Sequence, residues 1–140
     1  MSIYSKILPY IHLGRFHKPI GTSLVYLPFT WGCALTYTHP PLLLAHLSLY
    51  YLSSVTLRAA ACAINDYWDK DIDPHYPRTS YRPLAQNQLS FNQALSFCVA
   101  NTCIGLGALY ATGPERVLFG LTCAPLVIGY PLAKRYTHFP

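Results

Sequence analysis

Four apolar runs set the rhythm of this chain, each close to the roughly 20 residues that carry a helix across a bilayer. They cover 20–38, 42–64, 94–112 and 117–133. The first contains Pro28 and ends in a tight turn at His39, Pro40 and Pro41. The second carries one charge, Arg58. The third lies within an uncharged stretch and stops at Gly113 and Pro114; the fourth is expected to break or bend near Pro125 and Pro131. One long polar connection, 65–90, joins the second run to the third. There is no internal repeat and no low-complexity tract.

Basic residues orient these runs, because the cytoplasmic side of a membrane protein carries the excess of Lys and Arg. Lys6, Arg15 and Lys18 precede the first run, Lys70, Arg78 and Arg82 lie in the long connection, and Lys134 and Arg135 follow the fourth run. A model of four spans puts all eight on one side and leaves only Arg116 on the other. The connection 65–90 is therefore expected on the cytoplasmic or matrix-like face.

Composition agrees. The 140 residues are 52% hydrophobic and 11% charged, against about 25% charged in soluble domains. That excludes an ordinary soluble domain, and the abundance of aromatic and aliphatic residues excludes disorder. The expected fold is all-α, a polytopic transmembrane helical bundle with the lipid membrane as partner. The net charge of +5 does not point to nucleic acid, because the cations flank apolar runs rather than forming a patch with interleaved aromatics. Cys33, Cys62, Cys98, Cys103 and Cys123 all lie in apolar stretches, with no C-x-x-C pair or zinc-like spacing, and read as buried thiols.

The chemistry is concentrated where the second run ends. Four of the five acidic residues, Asp66, Asp69, Asp71 and Asp73, fall within eight positions, led by Asn65. Carboxylates at the end of a membrane helix need a cation to hold them. Asn65, Asp69 and Asp73 are spaced i, i+4, i+8, so a helix continuing through them lines all three on one face and turns Asp71 away. Grouped oxygen donors suit Mg²⁺, which bridges a few carboxylates to substrate phosphates. A solvated acidic loop would not need helical spacing. An EF-hand loop starting at Asp69 fails, because Pro74 holds its glycine position and Ser80 its glutamate position.

Basic residues follow. Arg78 and Arg82 in R-T-S-Y-R-P-L can take phosphate oxygens bidentately, although flanking charge alone would account for one of them. Tyr130 and Lys134 are four apart and share a helix face; Arg15, His17 and Lys18 stand just before the first run. Arg58 either faces the bundle interior or snorkels to the nearby interface.

The combination resembles the UbiA superfamily of integral-membrane aromatic prenyltransferases. The family motif N-D-x-x-D-x-x-x-D is matched by Asn65, Asp66, Asp69 and Asp73. R-T-x-x-R-P-L is matched by Arg78, Thr79, Arg82, Pro83 and Leu84, and Y-x-x-x-K by Tyr130 and Lys134. The entrance motif R-x-D-K-P-x-G is matched by Arg15, Lys18, Pro19 and Gly21, with His17 in place of the usual aspartate. The motifs run in family order along nearly the whole chain. Nothing acidic follows Glu115, so the second family motif, D-x-x-x-D, is missing. The chain reads as one partial domain, the N-terminal half of such a fold.

The resemblance implies Mg²⁺-dependent transfer of a prenyl group from a prenyl diphosphate to an aromatic, phenolic acceptor. Asn65, Asp69 and Asp73 would be the metal and diphosphate side, with Asn65 also binding substrate, and Asp66, Asp69 and Asp73 the catalytic carboxylates. Arg78, Arg82, Tyr130 and Lys134 would contact the diphosphate or close over it, with Arg15, His17 and Lys18 nearer the acceptor. His17 resembles the fungal secondary-metabolite members acting on polyketide-derived or other phenolic acceptors, which points to terpenoid or meroterpenoid biosynthesis, and the short leader favours an endomembrane over the mitochondrial inner membrane. The alternatives are 4-hydroxybenzoate polyprenyl transfer in ubiquinone synthesis and a truncated, non-catalytic membrane remnant.

Overall fold

The computed structural model describes residues 3–136, with side chains for residues 4–130. All regular structure among them is helical: α1 (Ile3–Leu13), α2 (Ile20–Thr36), α3 (Pro40–Trp68), α4 (Phe91–Thr112), α5 (Pro114–Thr122) and α6 (Ala124–Tyr136). A short 3-10 turn covers Asp73–His75.

Two of the described helices, α3 and α4, are long and apolar enough to cross a membrane. The 17 residues of α2 span about 25 Å at 1.5 Å per residue, slightly less than a bilayer core of about 30 Å. The fourth run is not one helix: it divides at Cys123 into α5 and α6. Pro125 offers no N–H to the carbonyl of Leu121, so a new helix starts with proline in its first turn. Pro131 falls within α6 without ending it. The sequence pattern also missed α1, which is too short to register as a span.

Local signals place the helix ends. Pro40 sits at the first position of α3, behind His39. Ser90 and Gln93 form a capping box at the start of α4: the Ser90 hydroxyl accepts from the Gln93 N–H, and the Ser90 N–H donates to Gln93 Oε1 at 2.8 Å. Gly113, with φ of 152°, ends α4.

The central pair is α3 and α4, packed antiparallel. Their register reads from contacts along both helices. Tyr67 meets Phe91 with ring centroids 5.1 Å apart, Ala63 packs with Ala94, Cys98 Sγ donates to the Ala60 carbonyl, and Tyr50 packs with Leu109. Gly105 permits the closest approach, since a Cβ there would lie 2.6 Å from Leu57 Cγ. Along the other side of α3, α2 runs antiparallel: Phe29 stacks on Tyr50 at 4.7 Å and Tyr26 meets Tyr51 edge-on. Leu13 of α1 joins Ala63, Leu84, Leu89 and Ala94 in a buried cluster. This cluster fastens the α1–α2 connection and the segment 69–90 to one end of the pair. Leu24, Trp31 and Leu35 on α2, with Leu118 and Phe119 on α5, leave large apolar side chains exposed, as lipid-facing helices do.

Candidate functional site

The acid cluster forms where α3 stops. The helix does not continue through Asp73 as the spacing suggested. It ends at Trp68, with Asp69 as its C-cap donating its N–H to the Asn65 carbonyl at 3.0 Å. Turns then bring Asp73 back, its N–H on the Asp69 carbonyl at 2.8 Å. The Thr79 hydroxyl donates to the Asp73 carbonyl at 3.1 Å and draws the following segment inward. Asp66, Asp69 and Asp73 are 1%, 6% and 4% exposed, while Asp71 is exposed. The expected separation of Asp71 is therefore present, but turns produce it rather than one helix face.

The three buried carboxylates converge on one atom. Arg82 Nη1 lies 2.7 Å from Asp73 Oδ2, 3.1 Å from Asp66 Oδ1 and 3.4 Å from Asp69 Oδ2. Asn65 Nδ2 donates to Asp69 Oδ2 at 3.0 Å. Asp66 takes a second guanidinium, Arg15 Nη2, at 2.7 Å. Its other oxygen, Oδ2, is buried without a hydrogen-bond partner.

Arg15 reaches Asp66 from a strained turn. The Phe16 N–H bonds the Ile11 carbonyl and the Arg15 N–H bonds the His12 carbonyl, which is the Schellman pattern that ends a helix. The left-handed residue of that motif is usually glycine; here it is Arg15, with φ of 53°. Burial opposes the Arg15 charge, but Asp66 outweighs it and holds the guanidinium pKa above its ordinary value.

Beside the cluster lies a cleft of about 340 Å³. Arg15, Lys18, Arg58, Arg78 and Arg82 line it, with His12, His17 and Asp66. Five cations facing one acid suit a multiply charged anion. Burial, then the neighbouring His12 and Lys18, lower the His17 pKa. Lys18 Nζ donates to the Tyr81 hydroxyl at 3.1 Å, and that bond lowers the Tyr81 pKa. Tyr81 was not singled out from sequence, where its only signal is its place beside Arg82.

Arg58 faces inward rather than snorkelling. Its Nη1 donates to the Thr22 hydroxyl at 3.2 Å and the Arg15 carbonyl at 3.3 Å. Among the described residues it forms no ion pair with a carboxylate, and it opens onto a second cavity of about 390 Å³. Asn65 and Tyr130 line that cavity, with Ala61, Leu126 and Val127 as apolar wall. Arg58, left undecided from sequence, thus joins the site, and Tyr130 is brought to Asn65's side of it. Lys134 lies outside the described side chains.

No three acid, imidazole or thiol side chains stand as a ready metal cage among the described residues. The donors still fit Mg²⁺ in kind: all are oxygens, the carboxylates already surround a cationic nitrogen, and Asp66 Oδ2 has an unused acceptor.

Residues 25–140 match the sequence model of the UbiA prenyltransferase family. The 4-hydroxybenzoate polyprenyltransferase, mitochondrial, of Drosophila pseudoobscura pseudoobscura is 40% identical over 99% of this chain and 35% of its own length. The 4-hydroxybenzoate octaprenyltransferase of Alkalilimnicola ehrlichii is 37% identical over 94% of this chain and 44% of its own. The 4-hydroxybenzoate polyprenyltransferase, mitochondrial, of Saccharomyces cerevisiae is 35% identical over 96% and 37%. The chain thus spans between 35% and 44% of the length of these relatives. No solved structure matches it.

Proposed function

The chain belongs to the UbiA prenyltransferase family, and from that premise we propose that it carries the diphosphate-binding part of an enzyme that prenylates 4-hydroxybenzoate. The observation that carries this reading is the cleft of Arg15, Lys18, Arg58, Arg78 and Arg82 against the buried acids. It combines cations for a diphosphate with oxygen donors for the ion that accompanies one. The relatives' names favour this acceptor over the fungal secondary-metabolite acceptor expected from His17. The word mitochondrial in two of the names given above likewise favours a mitochondrial membrane over an endomembrane.

The donor's C–O bond breaks, giving an allylic cation and free diphosphate. A ring carbon beside the phenol hydroxyl attacks that cation, and loss of the ring proton restores aromaticity. Arg78 neutralises charge gathering on the departing diphosphate, together with Lys18, which was expected nearer the acceptor but lines the same cleft; preorganised groups of this kind supply a large share of many enzymes' rate enhancement. Mg²⁺, held by Asn65, Asp69, Asp73 and Asp66, would supply Lewis-acid stabilisation of the same charge. Among the described residues Arg58 has no acid partner, and it borders an apolar-walled cavity, so it is placed to bind the acceptor's carboxylate while the ring lies against Leu126 and Val127. Four spans, with 65–90 on the matrix-like side, complete the reading.

The test is prenyl transfer in membranes expressing the full reading frame that contains this chain. Product should form with 4-hydroxybenzoate and a polyprenyl diphosphate, and disappear in Asp69→Asn. Product only with phenols lacking a carboxylate would replace this acceptor with the secondary-metabolite class that His17 suggests.

A further inference from the structure

We propose that the Tyr81 hydroxyl is a diphosphate ligand, which accepts from the Lys18 ammonium and donates its own proton to a diphosphate oxygen in the basic cleft. The proposal rests on the functional reading above and adds a contact at a position that the R-T-x-x-R-P-L motif leaves open.

The cations of the cleft are not equally free to serve an anion. Arg15 and Arg82 have nitrogens on buried carboxylates, and Arg58 is drawn to the Thr22 hydroxyl and the Arg15 carbonyl. Lys18 and Arg78 form no ion pair with a carboxylate among the described residues. Lys18 Nζ places one of its three donors on the Tyr81 hydroxyl at 3.1 Å. It also stands 5.6 Å from the centroid of the Tyr81 ring, within cation–π reach. Two donors of the ammonium remain. The phenol oxygen accepts from Lys18 and still has a proton to give, which no acceptor among the described residues takes. Tyr81 lines the cleft with Lys18, Arg78 and Arg82, so an anion held there is the acceptor within its reach.

Tyr81 is the anchored member of the pair. The Thr79 hydroxyl bonds the Asp73 carbonyl, the Arg82 N–H bonds the Thr79 carbonyl, and Leu84 is packed in the core with Leu13 and Ala63. Lys18 comes from the α1–α2 connection, 63 residues away, and carries its charge on a flexible stem. The hydroxyl therefore sets where the ammonium stands, and the ammonium polarises the O–H bond and strengthens what it donates. The lowered Tyr81 pKa reflects the same polarisation, with the Lys18 hydrogen bond as its first cause. One diphosphate group bridging the pair would receive a hydrogen bond from each.

The test is calorimetric titration of inorganic pyrophosphate, with Mg²⁺ present, into detergent-purified protein from the full reading frame. Tyr81→Phe keeps the ring beside Lys18 and removes only the hydroxyl. It should bind pyrophosphate about tenfold more weakly than wild type, the scale of one hydrogen bond to a charged group. Unchanged affinity, or no binding by the wild type, overturns the proposal. Lys18→Met, alone and with Tyr81→Phe, tests the pairing. The double variant should lose clearly less than the two single losses combined, because each group needs the other. Fully additive losses overturn the pairing. Weakened pyrophosphate binding by Tyr81→Phe, with no prenylated product from the wild-type reading frame, would sink the functional reading alone. Product from the wild type, with unaltered pyrophosphate affinity in Tyr81→Phe, would sink this contact alone.

Discussion

Arg58 lays its guanidinium across Gly21: a Cβ at Gly21 would lie 2.5 Å from Arg58 Nε and 2.6 Å from Nη2. The glycine of K-P-I-G is thus a passage for a side chain from the neighbouring helix. The obstructed atoms are the free end of a flexible chain, and alanine favours a helix over glycine by about 1 kcal/mol. Gly21→Ala should therefore leave thermal stability within about 1 kcal/mol of wild type. It should push Arg58 off Thr22 and raise KM for the aromatic acid, with kcat much less affected. An unchanged KM would remove Arg58 from acceptor recognition.

Arg15 allows backbone strain to be separated from ion pairing. Arg15→Gly relieves a left-handed residue, worth roughly 1 kcal/mol, but strips a buried carboxylate of one partner, which costs about 3–5 kcal/mol. The net expectation is a loss of roughly 2–4 kcal/mol in denaturant unfolding. Adding Asp66→Asn should recover at least half of it, and no recovery would mean that the ion pair is not what Arg15 contributes.

The pH dependence should have opposite signs for folding and for anion binding. The His17 pKa is lowered from its usual value near 6.5 by burial and by His12 and Lys18. Below that value the unfolded chain takes up the proton first, so stability falls as pH drops through this range and levels off once the folded form is protonated too. A protonated His17 adds charge to the cleft, so pyrophosphate affinity should rise over the same interval. His17→Gln should flatten both trends in calorimetric titrations at pH 5.5 to 7.5.

The acids should divide into two sets. Asp66→Asn, Asp69→Asn and Asp73→Asn in the full reading frame should each lower kcat/KM about a hundredfold or more, the scale of losing one preorganised electrostatic contact. Asp71→Asn should stay within a few-fold of wild type. Equal losses at all four would contradict the burial pattern.

His39 and Tyr76 should label from opposite faces of the membrane, since they flank the two ends of α3. Single cysteines at these positions in a cysteine-free background, probed with an impermeant maleimide, decide the matter. Labelling from the same face would sink the proposed orientation.

Much of this was legible in the sequence, and the omissions have physical causes. Apolar runs located α2, α3 and α4 because spans must satisfy their backbone internally and present apolar side chains. Helix α1 was missed because Leu13 and Tyr10 bury one face only, in a segment too short to stand out by hydropathy. Asn65, Asp69 and Asp73 were found through helical spacing, although the helix ends at Trp68 and Asp73 returns on turns. Asp66 was read as a catalytic carboxylate outside the metal set, and it is the most buried of the three and holds two arginines. Arg82 read as a phosphate contact; no spacing rule could show that its nitrogen rests among the acids, because that depends on the path of 69–82.

The antiparallel packing of α3 on α4 bears on how the chain is made. In the proposed orientation, the segment 69–90 that joins them never has to be translocated. The most highly charged stretch then stays in the compartment where it was synthesised. What must be carried across is the short turn at 37–39 and the Gly113 corner with Glu115 and Arg116. The acids and their arginines would meet at the membrane surface during insertion, before α5 and α6 have left the ribosome.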